Sequence, residues 1–164
     1  MNHGASPEAA APKADTSGVR VPPPLYYVAG FLVGVVLELV LPTSWPPAGV
    51  RIAVAVLAVG AWLGLDGAAT LKFRRASTSM LPMNPTTALV TSGPYRLTRN
   101  PMYLGMAFLY VGFAFAFGVI WALAFLPAVL VIVDRFVIAP EEPYLERTFG
   151  QAYRDYKARV RRWL

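Results

Sequence analysis

The sequence predicts an all-α, multi-pass membrane protein. It should have about four transmembrane helices, including a tight helical hairpin, and a C-terminal amphipathic interfacial helix. Three observations carry this. The chain is 56% hydrophobic and 15% charged, where a soluble domain carries about 25% charged residues. The apolar residues lie in blocks comparable with the roughly 20 residues that a membrane-crossing helix needs. The basic residues collect between and after those blocks rather than within them. Mean hydropathy is +0.48.

Residues 1–24 are rich in Ala, Pro and small polar residues and have no apolar run. They read as a disordered tail, neither signal peptide nor packed segment. A single membrane domain, 25–164, follows. Its first span is Leu25–Leu41, ended by Pro42, with Glu38 its one charge. Its second is Ile52–Leu71, with Asp66 near the exit. Each has glycines four apart, Gly30 and Gly34, then Gly60 and Gly64. Such spacing lets helix backbones approach closely in lipid.

Lys72–Asn100 is polar and irregular. Met102–Val133 then holds no charge over 32 residues. As one helix it would be about 48 Å long, too long for a core of roughly 30 Å. It is therefore split into spans 101–117 and 119–139, turning near Gly118, with Pro127 a kink in the second arm. From Leu145 to Trp163, apolar residues recur every three or four positions, and Arg and Lys fill the rest. Gly150 interrupts this pattern. A basic amphipathic helix of this kind lies in the membrane interface.

The charges set the topology. The net charge is +6. With four spans and both termini cytoplasmic, Arg51 alone of 15 Lys and Arg falls on the outer side. This positive-inside bias explains the basic pI of 9.9 without nucleic acid as a partner. Membrane lipids are the expected surroundings. There is no Cys, and the single His is His3 in the tail. Disulfides, thiolate or His-based metal sites and a Ser-His-Asp triad are therefore excluded.

Topology also brings two polar segments together. One enters the hairpin at Thr91–Tyr103 and the other leaves it at Asp134–Glu142. Arg96, Arg99, Asn100 and Tyr103 should thus approach Arg135, Glu141 and Glu142 at the mouth of an apolar pocket. Each residue also has a plain reading. Asn100 can cap a helix that Pro101 opens. Arg96 and Arg99 can anchor the interface, as can Tyr95 and Tyr103. Glu141 and Glu142 can begin a helix.

GPYRLTRNPMYLG (93–105) followed by EEPYLERTFGQAYRDYKARVRRWL (141–164) resembles the isoprenylcysteine carboxyl methyltransferase family. Its pattern is roughly G-x-Y-x-x-x-R-H-P-x-Y-x-G, then E-E-x-x-L-x-x-x-F-G-x-x-Y-x-x-Y. This family of integral membrane methyltransferases belongs to a broad superfamily that includes lipid methyltransferases. The resemblance implies an S-adenosyl-L-methionine site. Leu89, Val90, Thr91, Ser92 and Gly93 match a segment whose backbone lies along the cofactor. Tyr95, Asn100, Pro101 and Tyr103 match cofactor contacts, and Glu141 and Glu142 match the acidic pair. Catalytic roles are implied for Arg99 and Arg135. Arg135 lies near a family Arg that binds the substrate carboxylate, though out of register with it.

One position departs from the pattern: Asn100 stands where the family has His. Asn keeps hydrogen-bonding capacity but does not titrate near neutral pH, so it serves no acid-base role. The expected function is S-adenosylmethionine-dependent methyl transfer to a lipophilic or small acceptor at carboxylate O, thiol S or amine N. The alternative is a non-catalytic protein binding lipid or a partner on the same fold. A sterol-reductase type of enzyme would need a nicotinamide site, and the chain has no dinucleotide fingerprint. Composition rich in Ala, Val and Arg points to a bacterial inner membrane.

Overall fold

The computed structural model describes residues 17–79 and 84–164. They form helices and connecting turns, with no strand among the described residues. Four apolar helices come first: α1 (Pro23–Val40), α2 (Ala48–Arg75), α3 (Pro101–Phe117) and α4 (Ile120–Val133). A π turn, Asp134–Ile138, joins α4 to α5 (Ala139–Phe149), and α6 (Gln151–Arg159) follows. A 3-10 turn, Gly93–Arg96, precedes α3.

Most of the expected tail, 1–24, lies outside the described residues. Its last part is packed: Val19 is buried in the same apolar cluster as Tyr27. Pro23 and Pro24 open α1, where a missing amide proton costs nothing. α2 has 28 residues and outruns its expected span at both ends. The apolar run marks what suits lipid, while Ala, Lys and Arg beyond it are good helix formers.

α1, α2 and the continuous helical run Ile120–Phe149 are long and apolar enough to cross a membrane. α3 has 17 residues, about 26 Å at 1.5 Å per residue, close to the roughly 30 Å hydrocarbon core. The protein is a multi-pass, all-helical membrane protein. The helix that carries the last expected span does not stop near Ala139 but continues through the π turn into α5. Pro140 and Pro143 each withdraw an amide donor from this run. The wider π turn just before them accommodates the Pro140 ring, which would crowd a regular helix.

The hairpin turns at Gly118, as expected, in the left-handed region at φ 67°. Its arms pack mainly on other helices, α3 on α2 and α4 on α1. Gly34 permits the second contact: a Cβ there would sit 2.5 Å from the Ala122 backbone. Gly60 and Gly64 differ from this expectation. A Cβ on either meets nothing within 4 Å, so their spacing packs no helix among the described residues.

The end of the bundle remote from the polar segments is closed by two charges. Arg51 donates to the carbonyls of Phe115 (3.2 Å) and Ala116 (3.1 Å), capping α3. Glu38 accepts from the amides of Thr43 (2.8 Å) and Ile120 (2.9 Å), capping the start of α4. The one basic residue expected on the outer side therefore has a structural task there.

Candidate functional site

The turn before α3 builds one wall of the site. Gly93 adopts φ 66°, a conformation that glycine accepts without strain. The 3-10 turn that follows sends Tyr95 inward, 7% exposed, and leaves Arg96 outside. Pro101 is buried where α3 begins. From there Tyr103 projects toward the opposite wall, which α5 supplies.

A cavity of about 800 Å³ lies between these walls. Its volume falls within the roughly 300–1,000 Å³ of small-molecule sites. One part is polar, with Arg99, Asn100, Tyr103, Glu141, Glu142 and Tyr153. The remainder is mainly apolar, with Trp62, Phe73, Met106 and Leu109 among its residues, and Asp66 is the charged exception.

The two glutamates occupy different surroundings. Glu142 is 8% exposed and surrounded by cations. Arg99 lies 3.0 Å away, Arg162 2.8 Å and Lys157 3.5 Å. Arg162 also bridges to Asp134 at 3.0 Å. Glu141 receives one hydrogen bond, from the Tyr103 hydroxyl at 3.1 Å. Its carboxylate faces the cavity with lone pairs to spare. Arg99 has a second telling feature: its Nε is buried and, among the described residues, unpartnered. An orphaned donor and an under-used carboxylate thus share one polar wall.

Asn100 lines the cavity, but its side chain caps no helix. Its Nδ2 donates to the Arg162 carbonyl at 2.9 Å. Thr98 Oγ1 donates to the same carbonyl at 3.0 Å, and the Arg99 amide to the Arg161 carbonyl at 2.9 Å. The 98–100 segment thus ties the C-terminal residues to the site.

That tail is built differently from its sequence pattern. Gly150 breaks the helix at φ 55°, as expected, and α6 ends at Arg159. Val160 is extended. The apolar face assigned to the interface is turned inward: Tyr153, Tyr156, Leu145 and Phe149 pack with Ala69, Phe73 and Tyr95. Periodicity identifies an apolar face but not whether lipid or protein covers it. Tyr156 donates to the Tyr95 carbonyl at 2.8 Å. Burial, and next to it the Glu142 charge, pushes the Tyr153 phenol up to about 12. Burial also raises Tyr95 and Tyr156. All three phenols stay protonated at neutral pH.

The structure gathers most of the expected residues. Leu89, Val90, Tyr95, Arg99, Asn100, Tyr103, Glu141 and Glu142 line the cavity. Thr91, Ser92, Gly93 and Pro101 are not among the lining residues: Thr91 and Gly93 are exposed and Pro101 is buried at the start of α3. Arg135 is exposed and outside the lining, since the π turn points it off the bundle. Sequence reasoning missed Arg162, which looked like one more charge on a solvated helical face. No signal marked the helix end at Arg159. It also passed over Asp66 and Trp62 as cavity residues, although a carboxylate inside an apolar span was a usable signal.

No solved structure matches this chain. An uncharacterized protein of Haemophilus influenzae is 54% identical over 35 residues, which are 21% of this chain and 56% of that one. The chain thus spans about half the length of this curated relative. Residues 49–152 match the family model of phospholipid methyltransferases. That match covers more than half of the chain, and the protein belongs to the phospholipid methyltransferase family.

Proposed function

We propose that this protein is an S-adenosylmethionine-dependent methyltransferase, similar to the isoprenylcysteine carboxyl methyltransferases. It would act on a lipophilic acceptor at the cytoplasmic face of a bacterial inner membrane, with both termini cytoplasmic. The observation that carries this reading is the divided cavity: the orphaned Arg99 Nε and the under-used Glu141 carboxylate at one part, mainly apolar helix walls at the other. The residues present fit the amino-acid end of the cofactor. Arg99 Nε offers a donor to a carboxylate, and Glu141 an acceptor to an ammonium. Tyr95, Leu89 and Val90 supply surface for the nucleoside. When bound, the cofactor supplies an electrophilic methyl on a sulfonium.

The chain's own part is positioning. Glu142, held by Arg99, Arg162 and Lys157, keeps Arg99 against the cavity. Tyr103 orients Glu141. The apolar walls exclude water and align the acceptor, because methyl transfer needs reacting atoms about 3–3.5 Å apart. Asn100 serves as a tether, which agrees with its lacking a titrating group.

The test is a transfer assay with purified protein, tritiated-methyl S-adenosylmethionine and bacterial membrane lipid extract. Label should enter the organic phase and drop at least tenfold in Arg99→Ala. A wild-type protein that binds S-adenosylhomocysteine but labels no lipid or small amphiphile would support the non-catalytic alternative instead.

A further inference from the structure

Asp66 is the only charged residue between Arg51 and Lys72 in α2. It lines the cavity together with Trp62, Tyr103 and Met106. Trp62, one turn earlier, donates a hydrogen bond to its carboxylate. The Oδ2 atom is buried and has no hydrogen-bond partner among the described residues. Among the described residues, no Lys or Arg forms an ion pair with it. Across from it, α3 makes room: a Cβ on Gly105 would overlap Asp66 Oδ2. Gly105 therefore has a task, which is to admit this carboxylate.

A carboxylate inside a membrane helix with one indole donor is under-satisfied. Burying it as a carboxylate costs several kcal/mol unless a proton or a cation neutralises it. An apolar side chain would fill the same space without that cost. Ionisable groups of this kind mark the paths and sites of ligands. The cofactor's ammonium already has a match in Glu141; of the two remaining cations, its sulfonium and an amine on the acceptor, the amine suits a carboxylate set among the apolar lining residues Trp62, Met106 and Leu109.

We propose that Asp66 is the acceptor-contacting residue, pairing with the protonated amine of a lipophilic acceptor. This rests on the methyltransferase reading above. One N–H bond of the ammonium breaks, and the proton forms an O–H bond on Asp66. The nitrogen keeps the electron pair and becomes a neutral nucleophile. The same carboxylate repels an anionic acceptor such as a fatty carboxylate, so Asp66 sets specificity as well.

The test is calorimetry on the full chain in neutral detergent with saturating S-adenosylhomocysteine. Dodecylamine and dodecanoate are the probes, matched in chain length. The wild type should bind the amine at least tenfold more tightly. In Asp66→Asn that preference should fall to within twofold, with S-adenosylhomocysteine and S-adenosylmethionine affinities within twofold of wild type. Equal binding of both probes by the wild type, or an amine preference that survives in Asp66→Asn, overturns the proposal. Loss of S-adenosylmethionine affinity alone places Asp66 on the sulfonium and also overturns it. The wild-type comparison decides the matter even if the variant does not fold. Failure of the methyltransferase reading is distinct: the wild type would then not bind S-adenosylhomocysteine at all.

Discussion

Glu141 and Glu142 are adjacent in sequence and opposite in circumstance. Removing the charge of Glu142 strands Arg99 beside a neutral amide and leaves Arg162 with Asp134 alone. Breaking a buried ion pair in this way costs about 3–5 kcal/mol. Arg162 is one-third exposed, with a side-chain accessibility of 34%, so about 2–3 kcal/mol is expected here, below that range for full burial. Glu142→Gln should therefore melt earlier, by thermal unfolding in detergent. Glu141→Gln should melt as wild type, because its carboxylate has one hydrogen-bond partner to lose. An equal drop in melting for both variants would remove the distinction. Nothing in the sequence separates these two residues. The difference arises from the π turn and from Arg162, which comes within reach only because the last helix stops at Arg159. Asn100 shows the same limit. Its sequence context offered cap or ligand contact, whereas its amide holds the Arg162 carbonyl. Asn100→His can keep that bond through a ring N–H, so it should leave melting unchanged. Asn100→Leu should cost about 1 kcal/mol, the net worth of one hydrogen bond, since Thr98 still serves the same carbonyl. A loss above 3 kcal/mol would show that Asn100 carries more than this tether.

The helices were legible where apolar length and turn chemistry decide them. Gly118 marked the hairpin, Gly150 the break in the tail, and Pro101 the start of α3. What was not legible is which face meets which neighbour. The two glycine pairs make the point. Gly34 abuts the Ala122 backbone and Gly60 abuts nothing within 4 Å, yet both present the same spacing in sequence. Gly34→Ala should destabilise the bundle by about 1–3 kcal/mol through overpacking. Gly60→Ala should be neutral or slightly stabilising, because alanine is the better helix former. Equal effects would contradict the pairing of α1 with α4. At the C-terminus, the amphipathic pattern was legible as a face, but not that Ala69, Phe73 and Tyr95 cover it. The tail instead covers the turn that carries Tyr95. Deleting residues 160–164 removes the Arg162 pairs and the bonds to 98–100. It should lower both melting temperature and S-adenosylhomocysteine affinity. A truncated protein that binds as wild type does would show that the tail is dispensable to the site.

The molecule as a whole is a helical bundle with two unlike ends. One end is closed by Arg51, Glu38 and the Gly118 turn. The other holds the cavity's polar wall, the π turn and a C-terminal segment tied back by Arg162. The positive-inside pattern predicts that the end with the cavity's polar wall faces the cytoplasm. A reporter fused after Leu164 should therefore be cytoplasmic, and an external reporter would invert the topology. Family membership supports the proposed methyl transfer as a class. The fit of the polar wall to a cofactor's amino-acid end is the central claim. Calorimetric titration of S-adenosylhomocysteine into purified wild type and Glu141→Gln tests it most directly. One site per chain is expected in the wild type, with at least tenfold weaker binding in a Glu141→Gln protein that melts normally. No binding by folded wild type, or unchanged affinity in Glu141→Gln, would contradict the account.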